Sequence, residues 1–166
     1  MNPPDEILSN DRLLSLKQVW RLFWLTALTV FFLDQGSKYL ALQWLIPHCP
    51  VNLIPGFFNL TLTFNPGAAF SLFPGARWLF VIVSFLAFIF LPMYLKSLLH
   101  TEDSNILHAL SLGLILGGAM GNACDRLFRP AGLVVDFFHA FWRDYHFPVF
   151  NVADSAISIG ITFLFL

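Results

Sequence analysis

The sequence predicts an all-α membrane protein with four transmembrane helices and a small extracytoplasmic β-sheet between the first and second helices. The 166-residue chain is 57% hydrophobic and only 11% charged, whereas a typical soluble domain is about 25% charged. Four apolar runs are separated by polar segments, and one of these segments alternates polar and apolar residues. Apolar runs of about 20 residues are typical of membrane-spanning helices, and the alternation is typical of a half-buried strand.

The apolar runs organise the chain as one polytopic membrane domain, residues 1–166. Residues 1–18 mix polar and apolar side chains, and we expect them to lead into an uncleaved first helix, because no small-residue cleavage site follows it. Basic residues before this helix favour cytoplasmic termini, although the Lys and Arg counts on the two sides are almost balanced. The predicted helices cover about 20–42, 77–95, 106–123 and 150–166, and the extracytoplasmic segments cover about 45–76 and 124–149.

Composition and missing motifs exclude several classes of function. A net charge of -1, with scattered basic residues, leaves no electrostatic footprint for nucleic acid. Cys49 and Cys124 match no zinc spacing and are too few for a disulfide scaffold, although a single bridge stays open. The signatures His-Glu-x-x-His and Gly-x-Ser-x-Gly do not occur. His139 and His146 lie among aromatic residues without a supporting cluster, so we expect no metal ion or other cofactor.

Charged residues near the end of the first helix form the first candidate feature. Asp34 and Lys38 are four positions apart, in the favourable order of acid before base. One interpretation is a structural ion pair that ties the helix end. The other is that Asp34 orients groups of a nearby site.

Glycine recurs at every fourth position of the third helix, at Gly113, Gly117 and Gly121. Such a stripe lets membrane helices pack at close range. We therefore expect Asn122 and Asp125, just past the stripe, to be held rigidly.

The segment between the first two helices predicts a strand followed by a turn. Residues 59–65 alternate polar and apolar side chains, and Pro66-Gly67 then favours a turn. The Asn65 amide can both donate and accept hydrogen bonds. A turn without any further role is the simpler interpretation of this segment when it is taken alone.

Two carboxyl groups are the strongest candidates for chemistry. Asp136 ends an apolar run, and Asp154 lies one turn into the fourth helix behind Asn151. Carboxylates at a membrane boundary are costly, so they are functional candidates by default. If both converge on one apolar site, desolvation and like-charge repulsion raise one pKa until the pair shares a proton. One carboxylate can then activate water while its protonated partner polarises a carbonyl, as in aspartic proteases.

Five motifs in order carry a family resemblance. They are Leu33-Asp34-Gln35-Gly36-Ser37-Lys38, Asn65-Pro66-Gly67-Ala68-Ala69-Phe70, Gly121-Asn122-Ala123-Cys124-Asp125-Arg126, Val134-Val135-Asp136-Phe137 and Phe150-Asn151-Val152-Ala153-Asp154. Together, on a four-helix chain of this length, the series resembles that of bacterial lipoprotein signal peptidase, also called signal peptidase II.

The resemblance implies an aspartic endopeptidase of the bacterial inner membrane whose active site faces the periplasm. It implies removal of the signal peptide from prolipoproteins, by cleavage just before the diacylglyceryl-modified cysteine. Membrane lipid is then the surrounding partner, and we expect the chain to act as a monomer. Asp136 and Asp154 match the catalytic pair. Residues that match substrate-binding or supporting positions are Asp34, Lys38, Asn65, Gly67, Asn122, Asp125, Arg126, Asn151 and Ala153.

Two other classes of function stay open on the residues alone. A proton-coupled transporter or channel subunit also uses acids inside a membrane, but a relay would spread them through its depth. A structural partner protein would use its acids only to pair with Arg126 and Lys38. The aromatic segment 137–150 is a further candidate, as a loop that closes over the scissile bond and excludes water.

Overall fold

The computed structural model describes residues 16–67, 73–100 and 106–166 of the chain. Residues 1–15 of the predicted lead-in, residues 68–70 after the predicted Pro-Gly turn and the polar loop at 101–105 lie outside the described residues. The helices are α1 (Leu16–Trp44), α2 (Arg77–Leu98), α3 (Ile106–Phe128) and α4 (Val152–Leu164), and the strands are β1 (Val51–Ile54), β2 (Phe58–Asn65), β3 (Val134–Trp142) and β4 (Tyr145–His146).

Within the described residues, α1, α2 and α3 are long and apolar enough to cross a membrane, with 29, 22 and 23 residues. A crossing needs about 20 residues at 1.5 Å of rise each. The α4 helix is apolar but has 13 residues, so its membrane crossing remains a prediction. The chain is thus mostly helical, as predicted, with three candidate membrane helices.

The α3 helix lies at the centre and packs against α1, α2 and α4. Its glycines allow the helices to approach closely. A Cβ atom at Gly117 would lie only 2.5 Å from the carbonyl oxygen of Ala27 in α1, which is too close for any other residue. On the other side, a Cβ at Gly118 would lie 2.5 Å from the carbonyl oxygen of Ala153 in α4. The close packing predicted from the glycine stripe is therefore present, and it places the end of α3 against the start of α4.

The sheet is antiparallel, with four strands in the order β1-β2-β3-β4. The prediction placed it only between the first two helices, and this was wrong for half of the strands, because β3 and β4 lie between α3 and α4. The segment 137–150, predicted as an aromatic loop, contains most of β3 and all of β4, and β3 pairs with β2 through most of its length. β-branched and aromatic residues suit a strand, but the partner strand lies some 70 positions away and cannot be read locally.

Candidate active site

The sheet and α4 bring Asp136 and Asp154 to one cavity of about 300 Å³. Asp136 belongs to β3 and is 1% exposed, while Asp154 lies half-buried in the first turn of α4. The cavity wall is largely apolar and continues along α4 beyond Asp154. The lining residues are Asn65, Gly67, Asn122, Arg126, Val134, Asp136, Phe147, Pro148, Val149, Phe150, Asp154, Ser155, Ser158 and Ile159.

The start of α4 fixes Asp154 through a capping box. Asn151 is the N-cap, and its side-chain oxygen accepts a hydrogen bond of 2.9 Å from the Asp154 backbone N–H. In return, the Asn151 backbone N–H donates to Oδ2 of Asp154 at 3.1 Å. Asn at the N-cap and an acid three residues later are a favoured start for a helix, since each satisfies a backbone N–H left free there. Local sequence therefore sets the orientation of this carboxylate.

Asp136 is held by two side-chain amides. Nδ2 of Asn151 donates to its Oδ1 at 2.7 Å, and Nδ2 of Asn65 donates to its Oδ2 at 3.0 Å. Asn65 reaches it because β2 pairs with β3 in the register that places Thr63 opposite Asp136. Asn151 thus contacts both carboxylates, one through its side chain and one through its backbone.

The environment of Asp136 favours its protonated form. Burial, and then the nearby charge of Asp154, raise the pKa of Asp136 from 3.8 to about 7. The hydrogen bonds from Asn65 and Asn151 oppose this shift, because they stabilise the ionised carboxylate. A carboxyl group that keeps its proton near neutral pH can donate it to a reacting atom.

Asn122 links the carboxylate pair to a buried charge network. Its Oδ1 accepts hydrogen bonds from Nζ of Lys38 at 2.9 Å and from Nδ2 of Asn151 at 3.1 Å. With the oxygen occupied by two donors, its Nδ2 faces the remaining partner and donates to Oδ1 of Asp154 at 2.8 Å. The orientation of the Asn122 amide is therefore set by Lys38 and Asn151 together.

Lys38 is completely buried and uses three acceptors. Besides Asn122, its ammonium lies 2.7 Å from Oδ2 of Asp34 and 3.0 Å from Oδ2 of Asp125. Asp34 also accepts a hydrogen bond of 3.0 Å from the backbone N–H of Ala153 in the first turn of α4. Asp34 thus forms the ion pair expected from its spacing with Lys38, and it also contacts the start of the helix that carries Asp154.

Asp125 joins α3 to the strand that carries Asp136. Its Oδ2 accepts a hydrogen bond of 3.1 Å from the backbone N–H of Val135. Its Oδ1 lies 2.6 Å from Nε of Arg129, four positions later in the chain. A carboxylate with two cationic partners and a backbone donor is well compensated for its burial.

Arg126 holds the turn that follows β2. Its Nη2 donates to the carbonyl oxygen of Gly67 at 2.7 Å, and its Nη1 donates to the carbonyl oxygen of Asn122 at 3.2 Å. The guanidinium carbon lies 4.7 Å from the centre of the Phe80 ring. The Asn65 oxygen also accepts from the Gly67 backbone N–H at 2.9 Å, so this turn does more than reverse the chain.

The structure brings every candidate site residue into this one network, and it adds two that the sequence analysis missed. Nε2 of Gln35 donates to the carbonyl oxygen of Gly121 at 3.0 Å, and it lies 3.1 Å from Oδ2 of Asp34 and 3.3 Å from Oδ1 of Asp125. Arg129 pairs with Asp125 four positions earlier. This is the same acid-before-base spacing as that of Asp34 and Lys38, so the sequence pattern could have identified Arg129. Among the described residues, no group of three or more His, Cys, Asp or Glu side chains could hold a metal ion.

A helical membrane fold in which two carboxyl groups share one apolar cavity is the arrangement expected of a membrane-embedded aspartic peptidase. The profile of signal peptidase (SPase) II matches residues 26–166. The lipoprotein signal peptidase of Symbiobacterium thermophilum is 41% identical over 140 residues, covering 84% of this chain and 89% of the relative. That of Coxiella burnetii strain Dugway 5J108-111 is 45% identical over 153 residues, covering 89% of each.

A solved structure agrees with these relatives. A bacterial membrane enzyme determined by the in meso method at 2.3 Å resolution superposes with a TM-score of 0.74 and 32% identity, covering 84% of this chain and 82% of that one. The chain belongs to the signal peptidase II family, which is an aspartic peptidase family.

Proposed function

We propose that this chain removes the signal peptide from diacylglyceryl-modified prolipoproteins, by cleavage on the N-terminal side of the lipid-bearing cysteine. Family membership supports the removal of signal peptides from prolipoproteins. The observation that carries the catalytic assignment is the shared cavity, in which Asp136 and Asp154 are each held by two donors. We assign these two residues as the catalytic pair.

The roles of the two carboxyl groups follow from their surroundings. Asp136 keeps its proton near neutral pH because burial and the charge of Asp154 raise its pKa to about 7. Asp154 lies beside it half-buried and accepts hydrogen bonds from Asn122 and from the Asn151 backbone. Asp154 is therefore the general base and Asp136 the general acid.

The reaction proceeds by attack of water on the scissile carbonyl. Asp154 takes one proton from the water, whose oxygen bonds to the carbonyl carbon, while the Asp136 hydroxyl polarises the carbonyl oxygen. Asp136 then gives its proton to the leaving nitrogen as the C–N bond breaks, and the carbonyl re-forms as a carboxylic acid. Transfer of the proton from Asp154 back to Asp136 restores the starting state.

The remaining polar residues position the groups around the two carboxyl groups. Arg126 fixes the Asn65 to Gly67 turn beside the cavity, and a guanidinium fork can also hold a peptide carbonyl in a fixed orientation. The network of Lys38, Asp34 and Asp125 holds Asn122 and the start of α4. We propose that these residues keep the two carboxyl groups at their working separation.

The layout also fits a lipid-modified substrate. The cavity lies at one end of helices that are apolar enough to cross a membrane, and a diacylated cysteine keeps its peptide bond at the membrane surface. We propose a multi-pass arrangement in the bacterial inner membrane, with cytoplasmic termini and the site at the periplasmic interface. Because one chain supplies every group named above, we propose the monomer as the working unit.

The test is cleavage of a diacylglyceryl-modified prolipoprotein by the purified chain in lipid or detergent. We expect Asp136→Asn and Asp154→Asn each to abolish turnover. Asp144→Asn is the matched control, because Asp144 is exposed and follows β3, and we expect normal turnover. Cleavage that survives in both variants would overturn the assignment of the pair. A wild-type chain that cleaves no such substrate would instead favour the proton-relay alternative.

A further inference from the structure

Two histidines outside the candidate active site face each other across the hairpin of β3 and β4. Nδ1 of His146 lies 3.2 Å from Nε2 of His139, and the ring centres are 5.2 Å apart. The sequence offered no such cluster, because the residues are seven positions apart with a turn between them. The hairpin closes this distance by pairing Phe141 with His146.

A neighbouring side chain fixes the proton on His139. Asn59 lies directly opposite His139 in the paired strands, and its Oδ1 lies 3.2 Å from Nδ1 of the ring. A carboxamide oxygen can only accept a hydrogen bond, so Nδ1 carries the hydrogen and Nε2 presents its lone pair. Histidines that bind metal ions almost always donate their second ring N–H to such an acceptor.

The rings are also held in place, and that of His146 is open to solvent. Phe141 packs its ring at 5.3 Å from His139 and at 5.5 Å from His146. Asn59 is 7% exposed, which anchors the acceptor, whereas His146 is exposed. An ion in solution can therefore approach the pair from the side of His146.

We propose that His139 and His146 chelate a divalent transition-metal ion through Nε2 and Nδ1. Tetrahedral coordination with metal–nitrogen bonds of about 2.0 to 2.1 Å needs two nitrogens about 3.3 Å apart, close to the observed 3.2 Å. In the structure Nδ1–H of His146 donates a hydrogen bond to Nε2 of His139. Binding therefore requires His146 to carry its hydrogen on Nε2 instead, and the two rings to turn so that both lone pairs point at the ion. No third His, Cys, Asp or Glu joins them among the described residues, so water completes the coordination.

The chemistry of the pair limits the ion to those that imidazole nitrogens suit, which are Cu²⁺, Ni²⁺ and Zn²⁺. The tetrahedral separation above is that of Zn²⁺, whereas Cu²⁺ takes a tetragonal arrangement and binds most tightly in this series. A bound ion links β3 to β4 immediately before Phe147, which lines the candidate active site. The site is thus a metal-dependent clamp on one edge of the cavity.

The proposal is tested by titrating the full chain, purified in detergent, with Cu²⁺ and recording electron paramagnetic resonance. We expect one Cu²⁺ per chain, with couplings from two imidazole nitrogens, and displacement of the Cu²⁺ by excess Zn²⁺. His146→Gln should weaken the affinity at least tenfold and remove one nitrogen coupling. His48→Asn is the control, because His48 is exposed and lies outside the pair, and it should leave the affinity unchanged.

Variants of Asn59 provide an independent test of the proposal. Asn59→Ala should weaken Cu²⁺ binding by about tenfold, the range seen when an outer hydrogen-bond partner is lost, whereas Asn59→Asp should retain it. An affinity that is equal in the wild type and in His146→Gln, or the absence of a two-nitrogen spectrum in the wild type, would show adventitious binding only and overturn the proposal. Neither measurement involves peptide cleavage, so the result is independent of the proposed function.

Discussion

The ammonium of Lys38 lies 2.9 Å from Oδ1 of Asn122, although 84 positions separate the two residues. This contact decides which atom of the Asn122 amide faces Asp154, because an ammonium can only donate. A buried lysine in α1 thus orients a donor to a candidate catalytic carboxylate without contacting that carboxylate itself.

The first prediction concerns the removal of this charge. In Lys38→Met, Asp34 and Asp125 lose their shared cation while they remain buried, and breaking a buried ion pair costs about 3 to 5 kcal/mol. We expect a clear fall in the thermal midpoint and, at permissive temperature, a loss of peptide cleavage. Lys17→Met is the control, because Lys17 is exposed on the same helix. Equal midpoints for the two variants would contradict the structural role of Lys38.

The second prediction concerns the pH profile of Asn65→Ala. The Asn65 hydrogen bond lowers the pKa of Asp136, so its loss should raise that pKa further. Because Asp136 is proposed to act in its protonated form, the alkaline limb of kcat/KM against pH should move to higher pH. Asn52→Ala, at an exposed position of β1, should leave the limb in place. A shift to lower pH would refute the acid role of Asp136.

The third prediction concerns stability against pH. The pKa of Asp136 is about 7 in the folded protein against 3.8 for the ordinary group. Between these values the folded state keeps a proton that the unfolded state has lost, so stability falls as pH rises through this window. Asp136→Asn removes this titration. The free energy of unfolding of the variant, relative to that of the wild type, should therefore rise with pH by up to about 1.4 kcal/mol per pH unit.

Thermal midpoints of Asp136→Asn and the wild type, measured from pH 4.5 to 7.5, check this expectation. Asp144→Asn provides the exposed comparison, and its difference from the wild type should stay nearly constant. If the advantage of Asp136→Asn did not change over the range, the raised pKa of Asp136 would be wrong.

The fourth prediction compares the same substitution at two helix glycines. In Gly117→Ala the new Cβ would meet the Ala27 carbonyl oxygen at 2.5 Å and Cβ of Val30 at 2.7 Å. Overpacking of this kind costs about 1 to 3 kcal/mol. A Cβ added at Gly36 would have no such neighbour within 4 Å, so Gly36→Ala should instead gain about 0.5 to 1 kcal/mol of stability. Thermal midpoints that move in opposite directions would bear this out, and a parallel shift would contradict it.

Local patterns predicted the parts of this molecule that depend on neighbouring residues. Three of the four predicted membrane helices followed from apolar runs, the ion pair of Asp34 and Lys38 followed from helical spacing, and the close packing of α3 followed from its glycines. The start of α4 was predicted at about residue 150 from its apolar run, and the helix begins at Val152, after the Asn151 N-cap.

Predictions failed where a partner lies far along the chain. The strand β3 was taken for a loop, since its hydrogen bonds go to β2 and no local signal identifies that partner. Gln35 was missed because its acceptors, Gly121 and Asp125, lie about 90 positions away. Its only local signal was its place beside Asp34.

Composition, helical periodicity and five ordered motifs are properties of the chain alone, and they were enough to predict the membrane-helical class, the family and the candidate pair. The contacts of Asn151 with both carboxyl groups, the burial that favours a proton on Asp136 and the orientation of Asn122 by Lys38 became visible only in the folded chain. Desolvation and hydrogen-bond geometry depend on which groups exclude water from each other. In this fold those groups come from α1, α3, α4 and the sheet together.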